Sequence, residues 1–129
     1  MIRRADFERL PDTMDQAELE ALANQVLDEY ESAPSGASPS EYAQCLYELA
    51  IRQGENYVAF SLPLSERIGR WIRTVWASDD SSLVVPLAGI VANLSMKEFI
   101  PYLERRAAEV KDPDAQRFVR QAIHDLNRL

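Results

Sequence analysis

The sequence has one cysteine, Cys45, and one histidine, His124. An intramolecular disulfide is therefore impossible, and a zinc site built from Cys and His lacks its donors. We expect a reducing, cytoplasmic compartment and neither metal nor cofactor. Glycine is sparse too: Gly36, Gly54, Gly69 and Gly89 stand isolated, so no glycine-rich phosphate loop exists. Long apolar runs are missing. The longest, residues 83–92, contains Pro86 and Gly89, and its ten residues fall short of the roughly twenty that a membrane span needs. Met1-Ile2-Arg3-Arg4-Ala5-Asp6 meets charge before any apolar core, so no secretory signal is expected there. Basic residues are in the minority, 14 against 21 acids, for a net charge of −7. That balance works against nonspecific binding to nucleic acid or to an anionic membrane and favours a basic partner or simple solubility.

What is present reads as one all-α domain. At 129 residues, with 47% hydrophobic and 27% charged side chains, the chain is long and apolar enough for one core, residues 1–12 being expected to be flexible. Thr13-Met14-Asp15-Gln16 fits a capping box, and Leu19, Leu22, Ala23, Val26, Leu27 and Tyr30 then repeat at three and four, predicting a helix over 14–31. Ser38-Pro39-Ser40-Glu41 supplies an N-cap, an N1 proline and an acidic N3 for a second helix that ends at Gly54. Residues 56–63 lack a period and read as loop, with Tyr57 and Phe60 expected to be partly exposed. Residues 64–77 form a third helix on Ile68, Trp71, Ile72, Val75 and Trp76, with Arg67, Arg70 and Arg73 facing elsewhere. A fourth begins near Ser82 and is apolar on every side. Ser95-Met96-Lys97-Glu98 resembles another capping box, opening a fifth helix that Pro101 bends and that ends near Lys111. Asp112-Pro113-Asp114 starts a sixth, with Phe118, Val119, Ala122, Ile123 and Leu126 on its apolar side.

A shift of 32 residues superposes Ile68 on Ile100, Trp71 on Leu103, Asp80 on Asp112, Leu87 on Val119 and Leu94 on Leu126. Each copy reads helix, acidic turn, helix, a unit that must stack on another to bury its apolar face. Through Phe99-Ile100-Pro101-Tyr102-Leu103, the Lys111-Asp112-Pro113-Asp114-Ala115 turn and residues 119–126, the segment 64–129 resembles the HEAT-repeat class. The first half lacks a clear copy, and Gly69, Pro86 and Pro101 break the pattern, so an irregular six-helix bundle is the competing architecture. The resemblance implies a protein-binding scaffold.

No constellation carries a reaction. His124 lies among Arg117, Arg120 and Arg128 at helical spacing, with no nucleophile or carboxylate placed to orient it, and reads as part of a solvated face. Cys45 sits in an apolar stripe and reads as a buried, inert thiol. We expect no enzyme. Charge is more informative: residues 1–64 hold 12 acids and 4 bases, and residues 65–129 hold 9 acids and 10 bases. On the first helix, Asp15, Glu18 and Glu29 flank one edge of the apolar stripe, and Glu20 and Glu31 flank the other. The expected contact surface comprises Asp15, Glu18, Glu20, Asp28, Glu29, Glu31 and Tyr57, and the bland alternative is a solubilising face. In size, charge and helical class the chain resembles the immunity proteins that neutralise bacterial toxins, which implies a carboxylate-rich surface covering a cationic site. The alternatives are a helical-repeat adaptor that holds a peptide and, last, a small enzyme using His124.

Overall fold

A computed structural model describes residues 3–33, 38–54 and 59–129. Seven α-helices and one 3₁₀ turn make up its regular structure, with no strand among the described residues. The first helix, α1 (Arg4–Glu8), falls in the stretch read as flexible; its Phe7 is buried against α3. One turn is too short to show a period in sequence.

Helix α2 (Gln16–Ser32) starts later than the capping box implied. Asp15, not Thr13, is its N-cap, with Oδ1 accepting the Glu18 N–H at 2.9 Å. A carboxylate makes the stronger, charge-assisted cap and complements the helix dipole. Leu19, Ala23, Val26 and Leu27 are buried at helical spacing. Helix α3 (Pro39–Gln53) begins with its N1 proline as expected, and α4 (Leu62–Val75) starts inside the segment read as loop. Phe60, expected to be partly exposed, is 7% exposed and belongs to the core.

Helix α5 (Ser81–Asn93) is buried along most of its length and contains Pro86, which removes one backbone donor from the ladder. Its end corrects the second capping box. Ser95 has φ 55°, the Met96 N–H reaches the Val91 carbonyl at 3.0 Å, and the Ser95 N–H reaches the Ala92 carbonyl at 3.2 Å. This is a Schellman closure, with a serine where glycine is the usual residue, so Ser95 ends one helix and does not begin the next. A 3₁₀ turn (Lys97–Phe99) leads into α6 (Ile100–Ala107), where Pro101 falls within the first turn and needs no hydrogen-bonded N–H. Helix α6 stops short of Lys111, and Gln116 Nε2 donates to the carbonyl of Ala107, its last residue, at 2.9 Å and to that of Val110, beyond the helix, at 3.1 Å. Asp112 caps α7 (Pro113–Asn127), its Oδ2 accepting the Ala115 N–H at 3.0 Å.

Helix α3 packs on α5 and α5 on α7, while α2 lies against α3, α6 against α7 and α4 against α2. The result is an all-α bundle whose central row is compatible with a solenoid-like stack. One hydrophobic core draws on all seven helices. Phe118, expected to be core, is 37% exposed, because the buried stripe of α7 runs through Ala115, Val119, Ala122 and Leu126 beside it.

Candidate functional site

Helix α2 carries five of the seven residues expected to form the contact surface and Asp15, its N-cap, is a sixth; Tyr57 lies outside the described residues. The structure separates those six by what their carboxylates hold. Glu20 faces the start of α4. Its Oε1 accepts the Ser61 hydroxyl at 2.9 Å, and its Oε2 accepts the Ser61 N–H at 3.1 Å and Gln16 Nε2 at 2.7 Å. Burial pushes the Glu20 pKa up, but hydrogen bonds from Gln16 and Ser61 outweigh that effect and hold it below 4.5. Gln16 Nε2 also donates to the Ala59 carbonyl at 2.7 Å, so one corner of α2 fixes the entry to α4.

Asp28 and Glu31 converge on Arg67 of α4. Nη2 donates to Asp28 Oδ1 at 2.7 Å and to Glu31 Oε1 at 3.1 Å, while Nη1 donates to Asn24 Oδ1 at 2.9 Å. The Arg67 side chain is 22% exposed, whereas those of Asp28 and Glu31 are 68% and 61% exposed. The hydrogen bond that Arg67 donates to Asp28, with the one to Glu31 adding to it, raises the Arg67 pKa despite burial. Glu29, half-buried, lies near Tyr42, whose pKa rises through burial and then the Glu29 charge. Tyr42 packs edge-on against Tyr30 at 5.2 Å, and Tyr30 against Trp71 at 5.6 Å.

Asp15 and Glu18 remain turned to water at the N-terminal end of α2. Beside them is a cleft of about 450 Å³ lined by Glu8, Asp12, Thr13, Glu48, Ile51 and Arg52, a grouping that the sequence reading missed. Arg52 organises it while only 6% exposed. Its Nε donates to the Pro11 carbonyl at 2.8 Å and its Nη2 to the Leu10 carbonyl at 3.0 Å; Nη1 meets the Glu48 carbonyl at 2.8 Å and Oε1 at 3.0 Å. The linker after α1 is thereby pinned to α3. A signal was present, since Arg52 is the only basic residue between Arg9 and Arg67.

His124 is exposed on α7 and lines a cleft of about 400 Å³ with Glu104, Arg120, Ile123 and Asn127. Cys45 is buried, and burial, reinforced by nearby Glu41 and Glu29, pushes its thiol up to about 12, so it stays protonated at neutral pH. Among the described residues, no three of His, Cys, Asp and Glu are grouped to hold a metal ion, and no helix is long and apolar enough to cross a membrane. No protein-family model, no curated protein and no solved structure matches the chain.

Proposed function

We propose that the protein acts by stoichiometric binding of another protein with a basic surface, and that its contact region is the acidic N-terminal end of α2 with the adjoining cleft. The observation that supports this reading is the division of carboxylates on α2. Glu20, Asp28 and Glu31 are engaged across helices within the fold, whereas Asp15 and Glu18 face water at the end of α2 that follows the cleft residues Asp12 and Thr13; of the other carboxylates in that cleft, Glu8 pairs with Arg4 and Glu48 with Arg52. Exposed Ile51 gives that cleft an apolar wall. Carboxylates around an apolar contact suit the aliphatic stem and charged head of a lysine or arginine. In its sharpest form the proposal is an immunity-type inhibitor that covers the cationic site of a bacterial toxin domain. Such a partner would be drawn in by electrostatic steering and held by a smaller number of buried contacts.

The test is capture of the partner from the native host at low salt, followed by association kinetics of the purified pair. Asp15→Lys combined with Glu18→Lys should slow association on the order of tenfold at low salt, an effect that fades as ionic strength rises. Glu104→Lys, on α6, should do neither. A salt-insensitive complex, or full affinity after the double reversal, would sink the proposal. Protection of cells expressing the partner would distinguish the inhibitor from an adaptor. The adaptor reading draws support from the successive packing of α3, α5 and α7, and under it substitutions on α5 and α7 would matter more than those on α2.

A further inference from the structure

A third cleft, of about 210 Å³, lies between α4 and the 3₁₀ turn. Leu62, on its wall, is 70% exposed, the highest value among the exposed large hydrophobic side chains described. Arg73 lies over the Phe99 ring, its Cζ 4.2 Å from the centroid, and a further 5.7 Å contact to the Tyr102 ring steadies it. Phe99 in turn comes close to α4 because residue 69 is glycine: a Cβ there would stand 3.1 Å from Phe99 Cε1. The platform under Arg73 is thus built into the backbone.

The hydrogen-bonding edge of that platform is uncommitted. Arg52, Arg67 and Arg106 all meet carboxylates, but neither Arg70 nor Arg73 donates a side-chain hydrogen bond or enters an ion pair with a described residue. A guanidinium centred over an aromatic ring and free of other partners keeps N–H donors available to an oxygen ligand, and the contact leaves less rotamer entropy to lose. Glu66 and Glu98 line the same cleft, so its formal charge sums to zero and a bare anion gains little from the field. A ligand must bring apolar surface as well. The volume lies below the range of whole-metabolite pockets and suits one or two side chains.

We infer that this cleft is a second docking surface, and that its occupant is a segment of a partner polypeptide carrying a carboxylate beside an aliphatic side chain. The carboxylate meets the Arg73 fork with Arg70 one turn away, and the aliphatic group covers Leu62. The inference does not rest on the function proposed for the acidic end of α2.

The experiment is an NMR titration of the labelled full chain with the blocked dipeptide N-acetyl-leucyl-aspartyl-amide, following the arginine Nε–Hε signals and the Leu62 methyls. Ring current from Phe99 marks the Arg73 signal. Saturable shifts at Arg73, Arg70 and Leu62 are expected. Arg73→Lys should weaken binding by about fivefold or more, because it keeps the charge and loses the fork and the stack. Leu62→Ser should weaken it similarly, and that side chain is already in water, so the fold is not at stake. Equal shifts from acetate alone, equal binding of N-acetyl-leucyl-lysyl-amide, no shift at these residues, or affinity unchanged by both substitutions would each overturn the inference.

Discussion

Replacing Gly89 by alanine sets two well-calibrated effects against each other. Alanine in a helix interior is favoured over glycine by about 1 kcal/mol. Yet a Cβ at residue 89 would stand 2.3 Å from Tyr47 Cε1 and 2.7 Å from Cδ1. Carbon atoms in contact sit near 3.5 Å, so the nearer pair is too close by about 1.2 Å. These are mid-ring atoms, and the ring cannot yield by a small end-on rotation. Either α3 and α5 separate, or Tyr47 leaves its rotamer and gives up its packing on α5. Overpacking costs about 1–3 kcal/mol, and an overlap this large belongs in the upper part of that range, so subtracting the propensity gain leaves a net loss of roughly 1–2 kcal/mol. Urea unfolding followed by circular dichroism and by fluorescence of Trp71 and Trp76 should show a lower midpoint at unchanged slope. The mechanism has a sharper signature in the double variant. Tyr47→Leu should destabilise the parent protein but cost less, or even stabilise, in the Gly89→Ala background, giving a coupling of about 1 kcal/mol or more. A Gly89→Ala protein as stable as the parent, or strictly additive variants, would refute the reasoning.

Ser95→Gly should stabilise the fold by about 0.5–1 kcal/mol, because it relieves the left-handed strain at φ 55° and returns part of the gain as extra freedom in the unfolded chain. If Ser95→Gly is no more stable than Ser95→Ala in the same urea assay, the helix-closing role assigned to this residue is wrong. Arg52→Met should cost about 2–4 kcal/mol, since it strands Glu48 and two backbone carbonyls, and it should speed tryptic cleavage at Arg9 as α1 loosens from α3. Parent-like proteolysis and stability would contradict the pinning role. The Cys45 thiol should ignore a disulfide reagent until the protein unfolds. Its folded pKa of about 12 stands above the ordinary 9.0, so from pH 9 upward the unfolded state binds fewer protons and stability falls as pH rises toward 12. Cys45→Val should flatten that decline, and an identical pH profile would count against it.

Local chemistry was legible where one residue type has one job. Pro39 and Asp112-Pro113 mark helix starts, and α3 and α7 begin at those prolines. The reading failed where two local signals compete or where the partner is distant. Thr13 and Asp15 both offer caps, and the charged one prevails. Ser95 carries the composition of a helix start but the geometry of a helix end, because Met96 is drawn into the core at 3% exposed and closes the Schellman motif. Glu20 meeting Ser61 spans 41 residues of sequence, and the Arg67 pairs span 39 and 36. No periodicity encodes such pairs; they follow from how α4 lies against α2.

That packing changes what the charge division means. By sequence, the acidic half ends and a nearly neutral half begins close to residue 64. In space, Arg67 crosses the boundary and sits among the acids of the C-terminal end of α2. A cationic partner approaching there would compete with a guanidinium already held by three side chains, and displacing it would leave that charge in search of new partners. At the other end of α2, Asp15 accepts a backbone N–H, and neither it nor Glu18 has a basic neighbour in ion-pair range among the described residues. Two ends of one helix with the same charge in sequence therefore present different fields to a partner. The end near residues 12–18 is where an added cation gains most and displaces least.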